Sequence, residues 1–383
     1  MAEKKRIGLR KMMTGSLIVL IVLISGIILF LQHPLFGGKI DKKYIEKYSS
    51  SQNFKDGTFQ NKSFTPAFAD GVTFWDVFKD MLFEKSVDTR PEKPFNFEKT
   101  NLKELNPEEN VLVWFGHSSY YFQLNGLKFL VDPVLTPNAA PVFGSNVAFD
   151  GTSLYDFSDI PDIDYLIITH DHYDHLDYTT IKNLKTKTKE IICPLGVSIH
   201  FESWGFDMNK IHELDWDDEL VLKNNHKIVA KPTRHFSGRT FKRNVTLWAS
   251  YLIIADDFKL YIGGDSGYDS HFKEIGDTYG SVDLAILENG QYNHKWRLIH
   301  LMPEDFVQAA QDLQAKAVLP VHSSKFKLAA HPWYEPLEKV SELHEDAQKK
   351  GSKIELLTPQ LGEKVNMNLL LSSQFTSWWE KYK

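Results

Sequence analysis

The chain has 383 residues, 42% hydrophobic and 13% aromatic, which is material for a large core and excludes a disordered chain. A formal net charge of −6, with no Lys/Arg-rich run beyond the N-terminus, excludes nucleic acid as the main partner. The single cysteine, Cys193, excludes an intramolecular disulfide and a cysteine-based zinc finger.

In chain order, Lys4, Lys5, Arg6, Arg10 and Lys11 precede residues 12–31, an apolar run without a charge. The run is long enough to cross roughly 30 Å of hydrocarbon as a helix, and the cations before it place residues 1–11 in the cytoplasm. An uncleaved single-pass signal anchor is expected over a cleaved signal, because no A-x-A-like site follows. The body then lies outside the cytoplasm, attached to the cell membrane. Residues 32–106 are rich in Lys, Ser, Asn, Phe and Pro and read as a stalk and an irregular N-terminal extension that packs by its aromatics. Within them Phe74, Trp75, Val77, Phe78, Met81, Leu82 and Phe83 recur at near-helical spacing, as the core face of a helix does.

From residue 107 apolar runs follow one another. Residues 111–115 read as a strand, and 121–124 and 128–131 as a hairpin about Asn125-Gly126. Residues 165–169 (YLIIT) form a buried strand, 179–184 a helix, 191–194 a strand and 197–204 a helix. Further strands are expected at 228–231, 248–254, 259–262, 284–287 and 317–321, with helices at 303–314 and 335–349. Two runs of strands, each followed by helices, point to an α/β architecture of two packed sheets with helices outside.

The strand at 165–169 runs directly into His170, Asp171, His172, Tyr173, Asp174 and His175. Three imidazoles and a carboxylate in so short a span suit zinc, manganese or iron. His170 and His172 are two apart, so extended or loop backbone presents them, unlike the one-face pair of H-E-x-x-H. Three later strands also end in such residues: His235 after 228–231, Asp265 after 259–262 and His322 after 317–321. Together these strand ends offer His170, His172, Asp174, His175, His235, Asp265 and His322, enough for two metals sharing one carboxylate. Gly263 and Gly264 would let the backbone approach a metal closely.

These segments carry a resemblance. The chain resembles the metallo-β-lactamase-fold hydrolases, whose H-x-H-x-D-H signature it has at 170–175. It is most similar to the N-acylphosphatidylethanolamine-hydrolysing phospholipase D group, through WFGHSS at 114–119, DPV at 132–134, ELDW at 213–216, HFSGR at 235–239 and GDSGY at 264–268. Ser323-Ser324 and the loop at 292–301 depart from that group's pattern. The resemblance implies a four-layered αβ/βα sandwich with the site at one edge, read here as residues 107–360; the transmembrane helix precedes it and a C-terminal segment at 361–383 follows. It implies that His170, His172 and His235 hold one zinc ion, that Asp174, His175 and His322 hold the other, and that Asp265 bridges.

Two such cations lower the pKa of water from about 15.7 towards 7 and can clamp phosphoryl or acyl oxygens, so no separate nucleophile is needed. Asp174 and His322 are the expected catalytic residues. His117, Asp132 and His300 are expected to support the ligands or face the substrate, and Arg239 and Lys325 could meet a phosphate, with surface ion pairing as their other reading. The expected function is a zinc-dependent phosphodiesterase acting on a phospholipid or another small ester. A lactonase- or amidase-like hydrolase on the same site, and a non-catalytic envelope protein binding metal or lipid, are the rivals.

Overall fold

The structure, a computed structural model, describes residues 2–73, 75–77, 79, 88–256 and 258–383. The apolar run lies in one helix, α1 (Ala2–Phe30), long and apolar enough to cross a membrane. Its large side chains from Met12 to Phe30 are exposed. After α1 come a short helix, α2 (Lys42–Tyr48), and a small hairpin, β1 (Phe54–Lys55) with β2 (Thr58–Phe59). Phe74, Phe78, Met81, Leu82 and Phe83, and with them most of the helix expected there, lie outside the described residues; Trp75, at that segment's start, is 64% exposed.

The first half of the body contains β3 (Val111–Trp114), β4 (Tyr120–Leu124), β5 (Leu127–Val131), β6 (Ile163–Ile167), α3 (Tyr178–Leu184), β7 (Thr188–Pro194), α4 (Ser198–Ser203) and β8 (Ile211–Leu214). The second contains β9 (Glu219–Val221), β10 (Lys227–Lys231), β11 (Ser250–Ala255), β12 (Phe258–Ile262), α5 (His271–Tyr279), β13 (Leu284–Glu288), α6 (Pro303–Asp312), β14 (Ala317–Val321), α7 (Glu335–Lys349) and β15 (Glu355–Leu356). β16 (Lys364–Asn366) closes the chain's strands. Two mixed seven-stranded sheets result, in the orders β16-β3-β4-β5-β6-β7-β8 and β15-β14-β13-β12-β11-β10-β9.

Alternation along each strand builds the layers. Leu112 and Trp114 of β3 point between the sheets, where they share a core with Tyr251, Ile253, Leu260 and Ile262 of the second sheet. Val113 and Phe115 point outward, with Ile181 and Leu184 of α3 and Phe201 of α4 in the cluster on that face. On the far side Tyr261, Ala285 and Val318 pack with Phe272, Phe306 and Val340 of α5, α6 and α7. Buried on both faces, these strands read as continuous apolar runs, which is why they were legible. The fold is the expected four-layered αβ/βα sandwich.

Both flanks of the body pack on it. Within residues 32–106, Phe36, Tyr48, Phe59, Phe95, Phe97 and Leu102 are buried. The C-terminal segment at 361–383 packs as well. β16 pairs antiparallel with β3, and Trp378 and Tyr382 pack on Phe95 and Phe97. Aromatic side chains bury large areas wherever a groove admits them, and the sequence pattern here has no period to announce it.

Candidate metal centre

All the sequence-derived donors gather at the carboxyl ends of the strands, where the two sheets meet. His117 follows β3, Asp132 follows β5 and the 170–175 cluster follows β6 in the first sheet. His235, Asp265 and His322 follow β10, β12 and β14 in the second. Backbone hydrogen bonds join the halves here, from His322 N to His117 O at 2.9 Å and from His117 N to Ser323 O at 2.8 Å. His117, Asp132 and His322 take positive φ values of 53°, 41° and 67°, a region rarely used by such residues and concentrated at functional sites.

The side chains fall into two groups. His170, His172 and His235 bring nitrogens together, with His170 Nε2 2.8 Å from His172 Nδ1 and His235 Nε2 3.4 Å from the same atom. Asp174, His175 and His322 form the other group, joined by His117, whose Nε2 lies 2.9 Å from Asp174 Oδ2. Asp265 stands between: its Oδ1 is 3.3 Å from His175 Nε2, and its Oδ2 is 3.2 Å from His322 Nε2, 3.7 Å from His235 Nε2 and 3.9 Å from His170 Nε2.

The arrangement fits a pair of cations. His175 Nε2, His322 Nε2 and Asp265 Oδ1 are buried without a hydrogen-bond partner, a state that costs about 1–3 kcal/mol per group unless something satisfies it. Each of these atoms points towards the others, and nitrogen and oxygen donors together suit a borderline divalent metal. The electrostatics agree. Burial pushes the Asp265 carboxyl up, but His175 and His322 outweigh it and hold it well below the usual range. Burial opposes charge on His322 as well, yet Asp265, Asp174 and Glu288 raise it to about 10. The carboxylates therefore attract positive charge into this spot. Burial and the neighbouring imidazoles keep His170 neutral, with its lone pair available.

Supporting contacts set the rings. Asp132 accepts from Thr169 N at 2.8 Å and lies 2.8 Å from His175 Nδ1, so His175 presents Nε2. His235 Nδ1 lies 2.8 Å from Ile299 O, and Asn61 of the N-terminal extension bonds both the N–H and the C=O of His235. Glu288, which sequence reading passed over, lies 2.7 Å from His300 Nδ1 and 3.3 Å from His322 Nδ1. It ends an apolar strand as the other donors do, so the signal was present.

A cavity of about 240 Å³ opens over the site, lined by His172, Asp174, His235, His300 and His322 together with Phe236, Arg243 and Trp296. Neither Arg239 nor Lys325 lines it, and neither is a surface ion pair. Arg239 is buried and donates to the carbonyls of Leu35, Asp171 and Leu176. Lys325 is buried and donates to Val134 O at 2.8 Å. The cation at the cavity is Arg243, an exposed residue that no motif marks. Gly263 and Gly264 leave no room for a side chain: a Cβ on Gly263 would lie 2.8 Å from Ile286 O, and one on Gly264 3.0 Å from Thr169 Cβ.

The family model described as "Beta-lactamase superfamily domain" matches residues 128–323, just over half of the chain. The chain belongs to the beta-lactamase superfamily. Its relatives in this superfamily include an uncharacterised protein of Mycobacterium tuberculosis, 35% identical over 297 residues that span 76% of this chain and 79% of the relative. They also include N-acyl-phosphatidylethanolamine-hydrolyzing phospholipase D 1 of Caenorhabditis elegans, 29% identical over 269 residues, 66% of this chain and 74% of the relative. Among solved structures, a metallo hydrolase from Ignicoccus hospitalis matches with a TM-score of 0.50 at 19% identity, over 67% of this chain and 97% of the other. This superfamily member is thus one of a family of metal-dependent hydrolases.

Proposed function

We propose that the chain is a membrane-anchored phosphodiesterase holding two zinc ions, and that it hydrolyses a phospholipid of the N-acylphosphatidylethanolamine type. The observation that carries the reading is Asp265 standing between two three-residue donor groups beneath an open cavity. The activity for which the Caenorhabditis elegans relative is named supports the substrate class. α1 supports it too, because a spanning α1 would keep the body beside lipid headgroups.

In this reading His170, His172 and His235 would hold one ion, Asp174, His175 and His322 would hold the other, and Asp265, placed between the two groups, would serve both. Bound there, the two ions supply Lewis acidity for water and neutralise charge on phosphate oxygens. The chain's own residues do the rest. Asp174, fixed by His117, orients the attacking water and takes its proton at a carboxylate oxygen. The proton taken by Asp174 passes to the departing oxygen, which leaves as the alcohol, and His300, held through Nδ1 by Glu288, faces the cavity beside it. Arg243 at the cavity offers a guanidinium to a phosphate oxygen.

Turnover of N-acylphosphatidylethanolamine vesicles in oxygen-18 water tests this. Attack at phosphorus leaves the label on phosphatidic acid and releases unlabelled N-acylethanolamine. Label found only in a carboxylate, or lactone hydrolysis without phosphodiester turnover, would transfer the assignment to ester or lactone hydrolysis.

A further inference from the structure

A second and larger cavity, about 520 Å³, lies where α1 meets the body. Ile28 and Leu31 at the end of α1 wall one side, Phe36 and Ile40 continue it, and Phe241 and Val245 face them. Its polar floor is already satisfied. The Asp171 carboxylate accepts from Gly238 N at 2.7 Å and Thr246 Oγ1 at 3.0 Å and pairs with His200 Nε2 at 3.1 Å. His200 Nδ1 accepts from Gly38 N at 3.2 Å, and the Arg239 guanidinium is spent on backbone carbonyls. What the floor and walls leave open to a ligand is apolar surface. The rim differs. Lys39 and Lys242 line the cavity and are exposed, and among the described residues neither ammonium has a partner. Phe241, beside Lys242, is 90% exposed.

We propose that this cavity binds one acyl chain of an acidic phospholipid, with the lipid phosphate on Lys39 and Lys242 and Phe241 lying in the interface beside it. The proposal rests on the reading of α1 as a membrane span. Leu31 then marks the helix's exit from the bilayer, and the cavity sits at headgroup depth, where apolar side chains meet lipid tails and lysines meet phosphates. Its volume is within the roughly 300–1,000 Å³ of ligand sites. The rim carries two free cations, while the one lining carboxylate, Asp171, is buried and paired, so an acidic headgroup is favoured over a zwitterionic one. The site is separate from the metal cavity: residues 236–246 form a wall between them, with Phe236 and Arg243 on one side and Phe241, Lys242 and Val245 on the other. The wall from Ile28 to Ile40 also lies outside residues 128–323, so it is a feature of this chain and not of the superfamily domain.

The test uses the full chain in nanodiscs doped with a phospholipid carrying a photoactivatable acyl chain, as phosphatidylglycerol or as phosphatidylcholine. Mass spectrometry maps the cross-links. Cross-links on residues 36–40 and 241–245 are expected with phosphatidylglycerol in preference to phosphatidylcholine. Lys39→Gln combined with Lys242→Gln should reduce those by on the order of tenfold, and Val245→Trp, which fills the cavity, should remove them while cross-links along 12–31 persist. Equal labelling by both lipids, or labelling confined to 12–31, would overturn the lipid site and leave the anchor standing. Labelling absent from 12–31 as well would overturn the anchor and the site with it.

Discussion

Glu288 shows how one buried carboxylate can govern two imidazoles. It lies 2.7 Å from His300 Nδ1 and 3.3 Å from His322 Nδ1 and also accepts from Ser266 N at 2.6 Å, so its charge fixes which ring nitrogens face the cavity. Outer partners of metal-bound histidines typically contribute 10–100-fold in affinity. Glu288→Gln is therefore expected to weaken retained metal by roughly that factor, read by competition with a chelator, while Asp265→Asn should release both ions. Full metal content in Asp265→Asn would remove the bridging assignment. Lys325 gives a second test, away from the ligands. Burial pushes its ammonium down to about 8, with only partial compensation from Asp177, whereas an unfolded lysine titrates near 10.4. Between those values the unfolded chain binds more protons than the folded one, so this group makes stability rise with pH from about 8 to about 10. The rise should approach 2–3 kcal/mol (roughly) in denaturant titrations and vanish in Lys325→Met. A flat profile in the parent chain would show that Lys325 is hydrated.

Among the elements, the last residues of the chain hold more than their sequence announces. β16 completes the first sheet's edge, and behind it Trp378 packs on Phe95, Phe97 and Trp333 with ring centroids 5.9, 5.2 and 6.4 Å apart. Trp378→Ala should cost roughly 3–5 kcal/mol, the range for truncating a buried large aromatic, measured as a shift in denaturant midpoint. A change near zero would mean the C-terminal segment detaches in solution. The contrast with the central strands explains what could be read beforehand. β6, β13 and β14 are buried on both faces, so each is predominantly apolar, interrupted only by Asp164 in β6 and by Glu288 at the end of β13. β9, β15 and β16 have two or three residues and polar or exposed positions, because a sheet edge needs no second apolar face. α5 escaped notice for a similar reason, with Gly276 inside it and few apolar positions among Lys, Glu and Asp. The donor cluster was legible because 170–175 is local. Arg243 and Asn61 were not, since only the folded chain brings an exposed loop cation and an extension residue to the site.

At the scale of the molecule, the candidate centre forms only where the two sheets dock, and the whole body hangs from α1. Arg239 ties these two facts together. Its guanidinium donates to Leu35 O, just beyond α1, and to Asp171 O, between His170 and His172, and Phe36 packs edge-on against Tyr173 in the same loop. The segment leaving α1 is thus seated directly behind the donor cluster, so that on the proposed reading of α1 as a span a short, fixed connection and not a tether would set the body's distance from the bilayer. On the same proposal the side of the bilayer follows from charge. Lys4, Lys5, Arg6, Arg10 and Lys11 all precede the apolar run, and cations flanking a span stay cytoplasmic. The expected outcome is that protease added to intact protoplasts digests the body, leaving only a membrane-embedded fragment near the N-terminus, while cytoplasmic controls survive. Complete protection of the body would reverse the orientation. A soluble chain beginning after Leu31 would instead show that α1 is cleaved, and would require the contacts of Leu35 and Phe36 to hold without an anchor.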